Sequence, residues 1–387
     1  MRVASLATLG FRNLERGELA LGAGVTLLHG PNGAGKTNLL EALYMALTGR
    51  SCRTRADRET IAFGEPLARA QAVVEEEGER REFLCAVDRS EGRRHLVNGS
   101  PAPPGATGMR PALAVFMPDR LALVKGPPAA RRSHLDGFVA ALHPARGEFR
   151  RRYARALAQR NALVGRIRAG AAGPDSLDAW DAELAAAGIE LIATRSSAVD
   201  TLAPLFAAAA TELGLGADSG LAYRPRSSAA DASELQSELA ERRRSDLARG
   251  FSGHGPHLDE VAITVAGRPA RRYASQGQQR MALLALLFAE REALIDEGRP
   301  APLLLLDDVT SELDPARREL LCTRLVAGAG QALITATEPD HLPASCPRAE
   351  VAVRDGALIR EQESRLTNGG SLRRADPASR GPATEAA

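Results

Sequence analysis

The sequence predicts an α/β fold: a parallel-sheet core with a glycine-rich loop, an antiparallel β subdomain set into its first half, and an inserted helical arm. Three observations carry this. A compact apolar strand at Val25–His29 runs into the loop Gly30–Thr37 and then a helix from Asn38 to Leu47. Between about Gly64 and Asn98, apolar and polar residues alternate in three short runs separated by Gly78, Gly92 and Asn98-Gly99, the pattern of antiparallel strands. From about Gly126 to Arg249 Ala, Arg, Leu and Glu dominate at helical spacing, and strand-like sequence returns only at Val261–Val265.

The elements follow in order. Arg2–Leu9 reads as a strand ending at Gly10. Ala70–Glu75, Glu82–Val87 and His95–Asn98 are the antiparallel strands, Pro101–Pro111 a Pro/Gly-rich loop, and Ala112–Met117 a buried strand. Helices are expected over Phe149–Ile167, Leu177–Leu213 and Ser233–Leu247, with Gly170–Pro174 and a turn-rich stretch Gly214–Ser228 between them. A helix over Gln276–Ile295, a strand Leu303–Leu306, a helix Pro315–Leu325 and a strand Gln331–Ala336 complete the pattern. Residues 1–125 and 250–363 are thus expected to form one discontinuous unit, 126–249 the helical arm, and the polar 364–387 a disordered tail.

A chain of 387 residues is too long for one ordinary core and suits such a division. Aromatics make up only 4%, so Leu, Ala and Val must build the interior. The net charge of +2 supplies no global attraction for a polyanion, so any basic surface must be local or arise on association. Cys52, Cys85, Cys322 and Cys346 are far apart and form no CxxC or Cys/His spacing, which points away from zinc and from a disulfide framework. With no signal-like start and no apolar run of bilayer length, the expected compartment is the cytoplasm.

Gly30-Pro31-Asn32-Gly33-Ala34-Gly35-Lys36-Thr37 fits G-x-x-x-x-G-K-[ST], followed by Asn38, and it has the strand before and helix after that the motif requires. Its glycines let successive N–H groups face phosphate oxygens, the helix adds its positive end, Lys36 reaches the β- and γ-phosphates and Thr37 ligates Mg²⁺. Leu303–Leu306 delivers Asp307 and Asp308 to the carboxyl edge of the sheet, Asp307 for the metal and Asp308 to orient or deprotonate the attacking water. Most ATPases of this class have Glu there; the shorter Asp implies slow hydrolysis. Ser275, Gln276, Gly277 and Gln278 open a long helix with Ser275 near its N-cap. Their order and spacing resemble the signature segment of ABC-type ATPases, which contacts the γ-phosphate held by the opposite subunit. Ser311-Glu312-Leu313-Asp314 stands where such proteins carry the loop that crosses the dimer interface, with Ser311 and Asp314 its polar ends. Thr335 and Thr337 stand where many place a γ-phosphate-sensing histidine.

Further blocks narrow the resemblance. Phe11-Arg12-Asn13-Leu14, Ser51-Cys52-Arg53-Thr54, Phe116–Leu121, Lys125–Pro128, Arg131-Arg132 before Leu135-Asp136, Gly255-Pro256-His257, Tyr273–Arg280 and Leu306–Asp314 together resemble the RecF family over about Met1 to Arg360. That resemblance implies a P-loop NTPase head of the ABC/SMC type with a short helical arm, ATP and Mg²⁺ as cofactors, an ATP-dependent homodimer, and weak DNA-stimulated hydrolysis. It also implies DNA binding in repair, recombinase loading at gaps, and RecR and RecO as partners, with no membrane partner. Leu258 departs from the arginine frequent in the family, and no coupling Gln stands near Pro118-Asp119. A transporter ATPase subunit shares the three core motifs, an SMC-like nuclease would need a further acidic domain, and a purely structural dimerisation module would not need the intact acids. For DNA contact the arm offers Arg151, Arg152 and Arg155, with Arg150, Arg160, Arg166, Arg168 and Arg242–Arg244 beside them; arginine-rich helices line phosphate channels, yet they are commonly solvated faces. Phe149 and Tyr153 are the only aromatics interleaved with the first arm helix, so base stacking is not expected there.

Overall fold

The computed structural model describes residues 2–76, 78–102, 112–311, 313–328 and 330–359. The expected tail 364–387, the end of the head at 360–363 and most of the Pro101–Pro111 loop lie outside the described residues, as do Glu312 and the side chains of Pro118 and Asp119.

Strands β1 (Arg2–Leu9), β2 (Gly17–Ala20) and β3 (Val25–His29) precede helix α1 (Lys36–Thr48). The hairpins β4 (Leu67–Glu76), β5 (Glu79–Asp88), β6 (Gly92–Val97) and β7 (Ser100–Pro101) follow, then β8 (Leu113–Phe116). Among the described residues β2, β1, β4, β5, β6 and β7 form one antiparallel sheet in that order. Next come α2 (Ala122–Lys125), α3 (Pro128–Leu142), α4 (Gly147–Arg168), α5 (Leu177–Glu212), β9 (Gly220–Arg224) and α6 (Ala232–Arg249). The chain returns through β10 (Glu260–Val265), β11 (Arg268–Pro269), α7 (Ala270–Tyr273), α8 (Gln276–Asp296), β12 (Leu303–Leu306), α9 (Pro315–Ala327), β13 (Ala332–Ala336), β14 (Arg348–Arg354) and β15 (Ala357–Ile359). The second large sheet has the order β15-β14-β3-β13-β12-β8 and is parallel except for its edge strand β15.

Parallel strands covered on both faces read as near-continuous apolar runs. All residues of β3, β12 and β13 are buried. Their alternation sorts side chains between two cores. Leu28, Leu303, Leu305 and Leu333 pack with α1 and the antiparallel sheet, through Leu39, Leu43, Val74 and Phe83. Leu27, Leu304, Leu306 and Ile334 pack on the other face with α8. α1 is therefore sandwiched between the two sheets, and eleven of its thirteen residues are buried.

The arm is not walled off by its own core. Leu135 and Phe138 of α3, and Ala198 to Ala210 of α5, belong to the same cluster as α8 and β12. Only the far half of the arm has separate clusters, built from Tyr153, Leu184, Leu191, Leu235 and Leu239, and from Leu163, Val164 and Leu177. The Gly214–Ser228 stretch, expected to be turn-rich, contains β9, which pairs antiparallel with β10 across Tyr223↔Val261 and Leu221↔Ile263. Its five residues are too short for alternation to stand out; the partner strand makes it a strand. No described helix is long and apolar enough to cross a membrane.

Candidate nucleotide-binding site

The loop after β3 turns where only glycine fits. Gly30 has φ 150° and a Cβ there would lie 2.1 Å from the carbonyl oxygen of Val353 on β14. Gly35, the residue before α1, has φ 110° and a Cβ there would meet Leu14 at 2.8 Å. Ala34 is buried beneath the loop, while Pro31, Asn32 and Gly33 face outward. Lys36 begins α1 and folds back, its Nζ donating to the carbonyls of Gly30 (2.7 Å) and Pro31 (2.9 Å). Burial lowers the pKa of this ammonium, an effect opposed by the carboxylates of Asp308 and Asp307.

Those carboxylates arrive by register. β13 lies between β3 and β12, with Ile334 opposite Leu306 and Thr335 opposite Leu28. The residues just past β12 therefore lie beside the end of β13 and near the start of α1. Thr37 Oγ1 donates to both oxygens of Asp307, at 2.8 and 3.1 Å. Thr335 Oγ1 donates to Asp307 Oδ1 at 2.8 Å and accepts from the Asp308 N–H at 2.8 Å. Burial raises the pKa of Asp307, the bonds from Thr335 and Thr37 oppose it, and the neighbouring Asp308 adds to it. Asp308 has φ 48°, an unusual conformation for a non-glycine residue, and its Oδ1 is buried without a hydrogen-bond partner. A hydroxyl, a carboxylate and an unpartnered carboxylate oxygen gathered at a phosphate loop are the donor set that suits a hydrated divalent cation.

A second layer was legible only as isolated blocks. Asn13 Nδ2 donates to the Gly33 carbonyl (2.8 Å), Asn38 Nδ2 to Asn13 Oδ1 (2.7 Å), and Arg53 Nη1 to Asn38 Oδ1 (2.8 Å). Glu41, fully buried on α1, takes a two-pronged bond from Arg12 (2.9 and 3.1 Å), a bond from Ser51 (2.5 Å) and one from Arg53 (3.2 Å). Residues of the Phe11–Leu14 and Ser51–Thr54 blocks thus meet against the Gly30–Thr37 loop and α1.

The signature residues lie elsewhere. Ser275 caps α8 in a reciprocal box, its hydroxyl accepting from Gln278 N (3.2 Å) while Gln278 Oε1 accepts from Ser275 N (2.9 Å). Ser275 and Gln276 are exposed, Gly277 and Gln278 half-buried, and none hydrogen-bonds to the loop Gly30–Asn38. Ser311 Oγ donates to the Asp308 carbonyl at 3.1 Å, whereas Asp314 caps α9 by accepting from Arg317 N at 2.9 Å.

The sequence model described as RecF/RecN/SMC N terminal domain matches residues 2–356. The DNA replication and repair protein RecF of an Anaeromyxobacter species is 38% identical, over 93% of this chain and 99% of that one. The chain belongs to the RecF family. RecF of Deinococcus radiodurans is also 38% identical, over 87% of this chain and 91% of its own. Among solved structures, the recombination mediator RecF with ATP, from the RecFOR pathway, aligns with a TM-score of 0.80 at 27% identity, covering 93% of this chain and 97% of that one. An Smc head bound to the C-winged helix domain of ScpA, 15% identical with a TM-score of 0.56, shares the fold alone. The fold of this RecF-family chain is therefore the ABC/SMC-type head expected from its motifs.

Among the arm arginines of this RecF-family chain, one expectation fails outright. Arg160 is fully buried between Asp181 (2.6 Å) and Asp246 (2.7 Å), with Ser252 at 2.7 Å, so it cannot meet DNA. An i,i+3/i+4 face containing Arg reads as solvated in sequence; here two acids from α5 and α6 close over it. Arg151 pairs with Glu148 (2.5 Å) and Arg152 with Glu190 (2.9 Å), while Arg155 is exposed without an acid partner among the described residues. Tyr153 is buried, its hydroxyl 2.7 Å from His257 Nδ1.

Proposed function

We propose that this chain is an ATP-dependent DNA-binding clamp of replication and recombinational repair. In this reading two copies close on ATP, grip DNA without reading its sequence, and let go after slow hydrolysis. The observation that carries it is the cluster Thr37–Asp307–Thr335–Asp308 at the mouth of the phosphate loop. The ATP phosphates would lie on the N–H groups of Asn32 to Asn38, and Lys36 would exchange the carbonyls of Gly30 and Pro31 for the β- and γ-phosphate oxygens. Thr37 and Asp307 would hold Mg²⁺, which when bound neutralises phosphate charge. Asp308 Oδ1, free of protein donors, is placed to orient an attacking water and take its proton. Asp308 is one methylene shorter than the usual glutamate, which favours a low turnover that DNA could stimulate.

Ser275, Gln276, Gly277 and Gln278 point a capped helix N-terminus outward, the arrangement a partner copy's γ-phosphate needs. Ser311 and Asp314 would lie at that interface. The recombination mediator and RecFOR names carried by solved relatives support RecR and RecO as partners, and the task in this reading is recombinase loading at single-strand gaps. Light scattering with and without ATP tests the assembly. Wild type is expected to double in mass with ATP, and Lys36→Ala to lose both ATP binding and the dimer. Ser275→Arg should bind ATP yet stay monomeric, and Asp308→Asn should dimerise but hydrolyse poorly. An ATP-induced dimer of Ser275→Arg would overturn the trans role of the signature.

A further inference from the structure

Phe63 is fully exposed, more so than any other large apolar side chain among the described residues. Its turn is pinned. Ala62 N donates to Gly10 O (2.9 Å), Glu65 N to Ala62 O (3.2 Å), and Arg89 Nε to Glu65 O (2.9 Å), while Phe11 and Ile61 form an isolated β-bridge. A single exposed apolar residue is ordinary on a protein surface. This one ends an arginine-rich loop. Between α1 and Phe63 stand Arg50, Arg53, Arg55 and Arg58. Arg53 is committed to Glu41 and Asn38. Arg50, Arg55 and Arg58 are exposed and have no acid partner among the described residues. Of the loop's two acids, Asp57 is already held by Arg93 at 2.9 Å, leaving Glu59. The loop therefore carries excess positive charge and ends in an exposed aromatic ring on a pinned backbone turn.

That pairing selects a ligand. Free guanidinium groups suit phosphates, and an exposed aromatic ring suits the face of an unpaired base; a duplex offers the phosphates but hides the base faces in its stack. We propose that the loop Arg50–Phe63 is a contact for single-stranded DNA, with Arg50, Arg55 and Arg58 on the backbone and Phe63 stacked on a base. This rests on the reading of the chain as a DNA-binding protein and deepens it by placing a strand-discriminating contact on the ATPase head rather than on the arm. An acidic protein partner could also use such a face, and the measurements below exclude it or overturn the proposal.

The full chain is titrated against fluorescein-labelled oligothymidine and against a labelled duplex, with a fluorescent ATP analogue as the fold control. Phe63→Ala is expected to weaken oligothymidine binding about tenfold, to leave duplex binding within about twofold, and to bind nucleotide normally. Arg55→Ala with Arg58→Ala should weaken both DNAs and lower the salt slope on the single strand by about 0.7 per arginine. Phe63→Trp, compared with wild type and its single Trp180, should bind oligothymidine with quenched indole emission. Unchanged oligothymidine binding by Phe63→Ala, or an equal loss on both DNAs, overturns the stacking contact, as does an unquenched Phe63→Trp. Wild type that binds neither DNA overturns the DNA-binding reading itself, a different result from variants that match a binding-competent wild type.

Discussion

Asp307 is a carboxylate held in the wrong medium for its charge. It is buried at the end of an all-leucine strand, and two hydroxyl groups only partly offset its lost hydration. Its folded pKa is raised above the ordinary 3.8, so the folded chain binds this proton more tightly than the unfolded chain does. By linkage, the penalty is fully present at neutral pH and is relieved as the pH falls through Asp307's folded pKa toward its unfolded value. Asp307→Asn keeps an Oδ1 to accept from both Thr37 and Thr335, because both reach that oxygen. We expect it to raise the melting temperature at neutral pH by roughly 2 °C. The gain should shrink on acidification in scanning fluorimetry, while Mg²⁺-dependent ATP turnover falls. Thr335 illustrates what a single sequence withholds at this scale. Its hydroxyl was visible only as a departure from a histidine; the structure shows it holding Asp307 and the backbone of Asp308 together.

At the scale of elements, α8 carries two roles in one residue. Ser275 caps the helix, and it is also the exposed end aimed at a partner's nucleotide in the proposed dimer. Aspartate caps about as well as serine but brings negative charge. Ser275→Asp should therefore keep its melting temperature, bind ATP as a monomer, and fail to dimerise in light scattering. A variant that dimerises normally would reduce Ser275 to a cap. The elements legible in sequence were those whose burial is symmetric or whose amphipathic run is long. β3, β12, β13 and α8 came out within a residue or so of their ends. β2, β9 and β15 did not, because short edge strands owe their conformation to the neighbour that supplies their hydrogen bonds.

Over the whole molecule, arm and head are joined by a buried polar hub at Arg195 of α5. It grips Asp136 of α3 with two bonds (2.8 and 2.9 Å), donates to Pro256 O (2.7 Å) and lies 3.6 Å from Asp259. Tyr223 of β9 donates to the same Asp259, and Arg132 to its carbonyl at 2.6 Å. Arg131 beside it takes the Gly126 carbonyl (3.0 Å) just past α2 and Glu260 (2.9 Å). The Arg131-Arg132 and Asp136 blocks, and Pro256 of the Gly255–His257 block, therefore meet in one buried polar cluster. Removing one partner of a buried pair strands the others' charge. Arg195→Ala is expected to cost about 3–5 kcal/mol and to lower the urea midpoint sharply, with Arg195→Lys recovering little because it cannot fork onto Asp136.

The sequence by itself determined the fold class, and it made the Gly30–Thr37 motif, the Asp307-Asp308 pair and the Ser275 cap legible, since each is a local run that depends on spacing along the chain. It also carried the family, through short blocks spread over most of its length. Tertiary structure alone decided which side chains those blocks would meet. It drew Asn13, Asn38 and Arg53 into one chain of bonds to the phosphate loop, buried Arg160, tied Arg195 across the arm and left Phe63 in solvent. Those outcomes depend on which distant strand or helix lies opposite, and no periodicity along the chain encodes that.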